Sequence, residues 1–198
     1  MNVLVACEES QAVCLAFREK GHNAFSCDIQ KCSGGFPEYH IVGNVLPLLN
    51  GKCSFFTQNG DFYSLTSKWD LIIAHPPCTY LAVSGACNIP KDPTRIEKGF
   101  KAREFFMQIY NCDCDKIAIE NPKPLARFCL PKYSDVIQPY YFGNAFSKRT
   151  YLWLKGLPPL FSTEIVNDFK SWCLCHSGSK LRSKTFNGIA RAMANQWG

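Results

Sequence analysis

Four short stretches of the chain carry residues whose types could do chemistry. Cys78 closes His75-Pro76-Pro77-Cys78, directly after the apolar run at 69–74 (WDLIIA). Two successive prolines make a rigid turn, and a thiol held by one suits nucleophilic attack if its surroundings favour the thiolate. Glu120 opens Glu120-Asn121-Pro122 after the apolar run at 116–119 (KIAI). A carboxylate held there could protonate or hydrogen-bond a ring nitrogen. Cys7-Glu8-Glu9 follows the run at 2–6, and Asp28 follows the run at 24–27. An acid at the second position could take the ribose hydroxyls of a nucleotide, and Asn44, in Gly43-Asn44-Val45, could meet a base edge. Each also has an ordinary structural reading: a packed thiol, a capping or salt-bridged carboxylate, a turn asparagine.

The elements that must position these residues read as strands alternating with helices. Runs at 2–6, 24–27, 69–74 and 116–119 are short and continuously apolar, as strands buried on both faces are. Residues 136–141 and 150–154 read as later strands. Ser10 to Lys20 reads as a helix capped by Ser10 and ended by Gly21. A long helix runs from Pro93 to Tyr110, with Asp92 as its cap. A closing helix covers 186–197. Alternation of this kind indicates an α/β fold with a mostly parallel sheet. In such sheets ligands bind beyond the carboxyl ends of the strands, where all four stretches fall.

Composition narrows the function classes. The chain has 198 residues, of which 46% are hydrophobic and 19% charged, which excludes a mostly disordered chain. No apolar run approaches the roughly 18 residues of a membrane span, and the N-terminus lacks the pattern of a signal peptide. Twelve cysteines without a secretion signal read as reduced thiols, and the expected location is cytoplasmic. The net charge of +6 is uneven, about −1 over residues 1–100 and +7 over 101–198. A basic half beside a neutral one suits a polyanion, nucleic acid first.

Together these residues resemble the DNA cytosine-5 methyltransferase family. Pro76-Pro77-Cys78 is similar to that family's catalytic loop and Glu120-Asn121 to its Glu-Asn motif. Phe142-Gly143, Lys148-Arg149 and the strand TYLWL resemble its basic segment before a late strand. Residues 187–192 resemble a shortened form of its closing motif. More narrowly, the chain resembles small methyltransferase-like proteins often carried by bacteriophages. The resemblance implies a Rossmann-like fold that binds S-adenosylmethionine. Ala6, Cys7, Glu8, Asp28, Ile29, Asn44, Val45 and Pro76 would lie around this cofactor. It implies that Cys78 attacks C6 of a cytosine turned out of DNA, with Glu120 on N3 and Arg149 assisting. Pro77, Asn121 and Lys148 would meet the substrate. It implies a catalytic domain over 1–157, a short insertion over 158–184 and a closing helix over 185–198 that packs back on the domain. The insertion is far shorter than a target-recognition domain, so sequence choice would be relaxed or supplied by a second protein chain. The turn after the first strand, ACEESQ, has no glycine where the family favours glycines. Two other readings stay open here: a non-catalytic accessory protein of the same fold that binds nucleic acid, and an enzyme modifying C5 of a pyrimidine nucleotide.

The remaining motifs read more plainly. His75 is expected to hydrogen-bond a backbone carbonyl. Arg95, Lys98, Lys101 and Arg103 read as a solvated helix face. Cys7, Cys14, Cys27, Cys53 and Cys129 read as core or boundary residues. Cys112-Asp113-Cys114 and Cys173-Leu174-Cys175-His176 are spaced too tightly for structural zinc, and no metal is expected. Lys170, Trp172, Lys180, Arg182 and Lys184 could supply phosphate contacts and one stacking surface.

Overall fold

The computed structural model describes residues 1–172 and 183–198. The apolar runs form one seven-stranded sheet. In chain order its strands are β1 (Asn2–Ala6), β2 (Asn23–Asp28), β3 (His40–Val42), β6 (Leu71–Ala74), β7 (Ile117–Asn121), β8 (Asp135–Ile137) and β10 (Thr150–Lys155). Their spatial order is β3-β2-β1-β6-β7-β10-β8. The pairs from β3 to β7 are parallel, and β10 runs antiparallel to both β7 and β8. The fold is therefore mixed α/β with a mostly parallel sheet. A hairpin of β4 (Cys53–Phe56) and β5 (Phe62–Leu65) and a small pair of β9 (Phe146–Ser147) with β11 (Lys170–Ser171) stand apart from it.

Strand periodicity divides the core between the two faces of the sheet. Leu4, Ala6, Ile72, Ala74, Ile117, Ile119, Tyr151 and Trp153 point to one face, with Phe106, Ile109 and the hairpin's Phe55. Val3, Val5, Leu71, Ile73, Ala118 and Leu152 point to the other, with Val13, Phe17, Ile189, Met193 and Trp197. Helix α2 (Arg95–Tyr110) thus covers the first face, and α1 (Ala12–Glu19) and α3 (Asn187–Trp197) cover the second. No described helix is long and apolar enough to cross a membrane.

Several boundaries differ from the sequence reading, each for a local reason. Helix α1 starts at Ala12, and Ser10 does not cap it. Gln11 lies in the left-handed region (φ 61°), and the Glu8 carboxylate reaches forward to accept the backbone N–H groups of Val13 (2.7 Å) and Cys14 (3.2 Å). Helix α2 starts at Arg95, since the Asp92 carboxylate binds the Thr94 N–H instead. Strand β8 ends at Ile137, where Pro139 opens a 3-10 turn over Pro139–Tyr141.

The closing helix packs on the sheet. Gln196 exchanges hydrogen bonds with the backbone of Phe161 at 2.8 Å each way, and Trp197 donates to the Pro158 carbonyl at 3.1 Å. At its first turn the approach is so close that a Cβ on Gly188 would meet the carbonyl oxygen of Phe142. Neither backbone can yield cheaply. Gly188→Ala is expected to cost about 3 kcal/mol, although alanine would gain about 1 kcal/mol of helix propensity. Urea denaturation of the two proteins checks this.

Candidate active site

The chain runs outward from β1 through β2 to β3, then crosses back to β6 on the other side of β1. The strand order reverses there, and the carboxyl edge beside such a reversal is where open α/β sheets bind ligands. A cleft of about 460 Å³ lies at this edge, within the size range of small-molecule sites. A second hollow of about 610 Å³ lies at the opposite edge, among Met1, Asp70 and Lys116, and holds none of the residues singled out for chemistry.

Of the sequence-predicted residues, Cys7, Glu8, Asp28, Pro76, Pro77, Cys78, Glu120, Asn121 and Lys148 line the cleft. Five others do not. Ala6 is buried in β1, where its carbonyl accepts the His75 N–H at 2.9 Å. Ile29 is 78% exposed. Asn44 is exposed and folds back on the Leu46 N–H, and Val45 packs in the core. Arg149 is exposed and lies outside the lining, while its neighbour Lys148 takes the inward position. Ala6, Ile29, Asn44, Val45 and Arg149 thus lie outside this lining.

The loop that carries Cys78 is held from several sides. Asn121 donates its side-chain amide to the Pro76 carbonyl at 2.9 Å. Val83 N–H donates to the Lys123 carbonyl (2.9 Å) and Leu125 N–H to the Leu81 carbonyl (2.8 Å), so the loops after β6 and β7 are zipped together. Arg95 donates to the Thr79 carbonyl at 2.8 Å and lies over the Tyr80 ring at 4.7 Å. It is thus a loop anchor rather than part of a solvated face, whereas Lys101 pairs with Glu97 in solvent as expected.

His75 departs from its sequence reading. Its Nδ1 lies 2.9 Å from Glu120 Oε2, not on a backbone carbonyl. Thr185 Oγ1 donates to the same oxygen at 3.3 Å. The carboxylate can only accept, so the His75 proton sits on Nδ1. Burial would raise the Glu120 carboxyl, but the hydrogen bond and charge of His75, the Lys148 ammonium and Thr185 outweigh it and bring it to about 2. Burial would lower His75, and Glu120, with Glu8 behind it, raises it instead. The two form a buried pair with the proton on the imidazole side.

Among the described residues two thiols line the cleft, Cys7 and Cys78. Burial, followed by the charges of Asp28 and Cys27, pushes the Cys7 thiol far above its ordinary range, so it stays protonated. Its backbone is also left-handed (φ 59°), an uncommon state for a residue with a side chain. Elsewhere, burial raises Cys112 to about 11 and also raises Cys114, which fits packed thiols. Cys129 is exposed rather than a core or boundary residue. Cys173, Cys175, His176, Lys180 and Arg182 lie outside the described residues. Trp172 packs edge-on between Phe146 (4.7 Å) and Phe186 (4.8 Å).

The sequence reading placed Glu9 and Pro122 at this edge without giving them a role, left out Ser10, Gln30, Thr79, Ser183 and Thr185 as cleft residues, and offered Lys184 only for phosphate contact. Glu9 had a visible signal, since it shares a strand-end turn with Glu8. Thr185 had none, because it reaches the cleft only through the return of the chain into α3.

No family model matches the chain, and no curated protein matches it. Among solved structures it is similar to the Entamoeba histolytica methyltransferase EhMeth, with 15% identity and a TM-score of 0.48, over 84% of this chain and 57% of that one. The chain thus spans little more than half the length of that structure.

Proposed function

We propose that the protein is an S-adenosylmethionine-dependent DNA cytosine-5 methyltransferase with a Rossmann-like catalytic fold. The observation that carries the reading is the meeting of Cys78 with the His75–Glu120 pair in one cleft at the carboxyl edge of the sheet.

The residues fit the chemistry. A cytosine must leave the base stack to be reached at C6, and the cleft is large enough for one ring. The Cys78 thiolate bonds to C6, the C5–C6 double-bond pair shifts to C4–C5, and the C4–N3 pair moves onto N3. Charge that develops at N3 is met by the proton held between His75 and Glu120, delivered through a Glu120 oxygen. C5 thereby becomes nucleophilic. Loss of the C5 proton to solvent then restores the double bond, expels the thiolate and returns the N3 proton through Glu120 to His75. S-adenosylmethionine, when bound, supplies the electrophilic methyl group that C5 takes. The acids Glu9 and Asp28 at the β1–β2 end of the cleft suit a ligand bearing a sulfonium and an ammonium.

The basic second half of the chain, with Lys148 and Lys184 in the cleft, supports DNA as the substrate. Residues 161–172 run beside the strip at 140–147, through Val166 N–H to the Tyr140 carbonyl and a 4.0 Å stack of Phe169 on Tyr140. Target choice is accordingly short or shared with a second chain.

The test uses duplex DNA containing 5-fluorocytosine, where fluorine at C5 blocks the final elimination. Incubation with protein and S-adenosylmethionine should give a denaturation-resistant adduct carrying the methyl group, read by intact mass. Absence of any adduct, across a pool of sequences and in single-stranded DNA, overturns the reading. An adduct formed only with the free fluorinated nucleotide reassigns the substrate to pyrimidine nucleotides.

A further inference from the structure

Four acids line the cleft, and three of them are satisfied from within the protein. Glu8 accepts two N–H groups at the start of α1. Glu120 holds His75 and Thr185. Asp28 Oδ1 accepts the Gln30 N–H at 2.9 Å. Glu9 is different. It is 8% exposed, lines the cleft, and both its carboxylate oxygens are buried with no hydrogen-bond partner.

A buried carboxylate without a partner is costly, and native proteins seldom keep one unless something else completes it. Among the described residues, the neighbouring cations are committed elsewhere. Lys184 Nζ donates to Ser33 Oγ at 3.0 Å. His40 is close enough to feel the Glu9 charge, but burial lowers its pKa, and its two ring nitrogens are taken by Ser26 Oγ and the Gln30 carbonyl, each at 2.8 Å. None of the ion pairs among the described residues includes Glu9.

The missing partner must bring both positive charge and hydrogen-bond donors. A sulfonium has charge but no N–H, so it leaves the two oxygens unsatisfied. A primary ammonium has three donors on one compact charge. We infer that Glu9 is the receptor for the primary ammonium of the ligand in this cleft, which, on the reading above, is the amino-acid end of S-adenosylmethionine. The inference rests on that reading for the ligand's identity. It divides the labour of the adjacent acids: Glu8 builds the turn and Glu9 recognises.

Calorimetric titration separates the two layers of the argument. S-adenosylhomocysteine keeps the ammonium and lacks the sulfonium, and 5′-methylthioadenosine lacks the ammonium. The wild-type protein should bind the first more tightly than the second. Glu9→Gln should weaken S-adenosylhomocysteine about tenfold to a hundredfold and leave 5′-methylthioadenosine within about twofold. Without ligand, Glu9→Gln should melt at or above the wild-type temperature, because it removes a buried carboxylate that has no hydrogen-bond partner. Unchanged S-adenosylhomocysteine binding by the variant overturns the role of Glu9 and leaves the cofactor reading standing. Equal weakening of both compounds, or a melting temperature several degrees lower, also overturns it, by assigning Glu9 to structure. A wild-type protein that binds neither compound overturns the cofactor reading and this inference together.

Discussion

Cys78→Ala should abolish methyl transfer and the 5-fluorocytosine adduct while leaving S-adenosylhomocysteine binding within about twofold. Among the described residues the covalent step has no substitute in the cleft. Cys7 is the only other thiol among them in the lining, and its burial beside Asp28 holds it protonated at neutral pH. A protonated thiol is a poor nucleophile. Cys7→Ala therefore serves as the internal contrast: it should retain the adduct. The loop itself should survive the Cys78 change, since its anchors are the Asn121 amide on Pro76, Arg95 on Thr79 and the backbone bonds to 123–125. Intact mass after denaturation reads the adduct, and calorimetry reads the binding. Residual adduct in Cys78→Ala would remove the residue from the mechanism.

Glu120→Gln should lower the single-turnover rate about 10²- to 10⁴-fold, because glutamine occupies the same space but passes no proton to N3. The pair also predicts how stability depends on pH. The Glu120 carboxyl lies below its ordinary value, so its contribution is present above about pH 4.5 and fades as pH falls toward about 2. His75 lies above its ordinary value, so its contribution is complete below about pH 6.5 and fades as pH rises through the raised value. In Glu120→Gln the imidazolium loses its buried counter-charge, and burial then favours the neutral ring. The variant should therefore be least stable relative to wild type near pH 5 and closest to it near pH 8. Melting temperatures across that range check the sign. A deficit that does not change between pH 5 and pH 8 would mean that His75 is not the charged partner of Glu120.

How far the sequence shows this architecture depends on the kind of signal. β1, β6 and β7 are readable because both faces are buried and the runs are continuously apolar. The hairpin β4–β5 is not, since its exposed Phe56 and Phe62 break the alternation that would mark it. The strand-end rule brings Cys78, Glu120 and Asp28 to one cleft. It does not carry the ring of residues farther along the second edge strands: Asn44 and Val45 follow β3, which is only three residues long and is carried away from the cleft by the turn that follows. Lys148 and Arg149 show the limit of adjacency, because extended chain sends neighbours to opposite sides. The His75–Glu120 bond spans 45 residues and joins two strands that are neighbours in space only. No local pattern encodes it.

The Glu8 carboxyl on the first N–H groups of α1 has a consequence for ligand discrimination. A helix start beside a strand end is the standard seat for phosphate and pyrophosphate in α/β proteins. Here the protein's own acid fills that seat, with Glu9 and Asp28 beside it. Adenine dinucleotides and nucleoside triphosphates, abundant in any cell and otherwise similar in their adenosine part, would bring their negative charge against this group of carboxylates. On the proposed reading, the turn would act as a charge filter, open to adenosine carried on a cationic arm and closed to adenosine carried on phosphate.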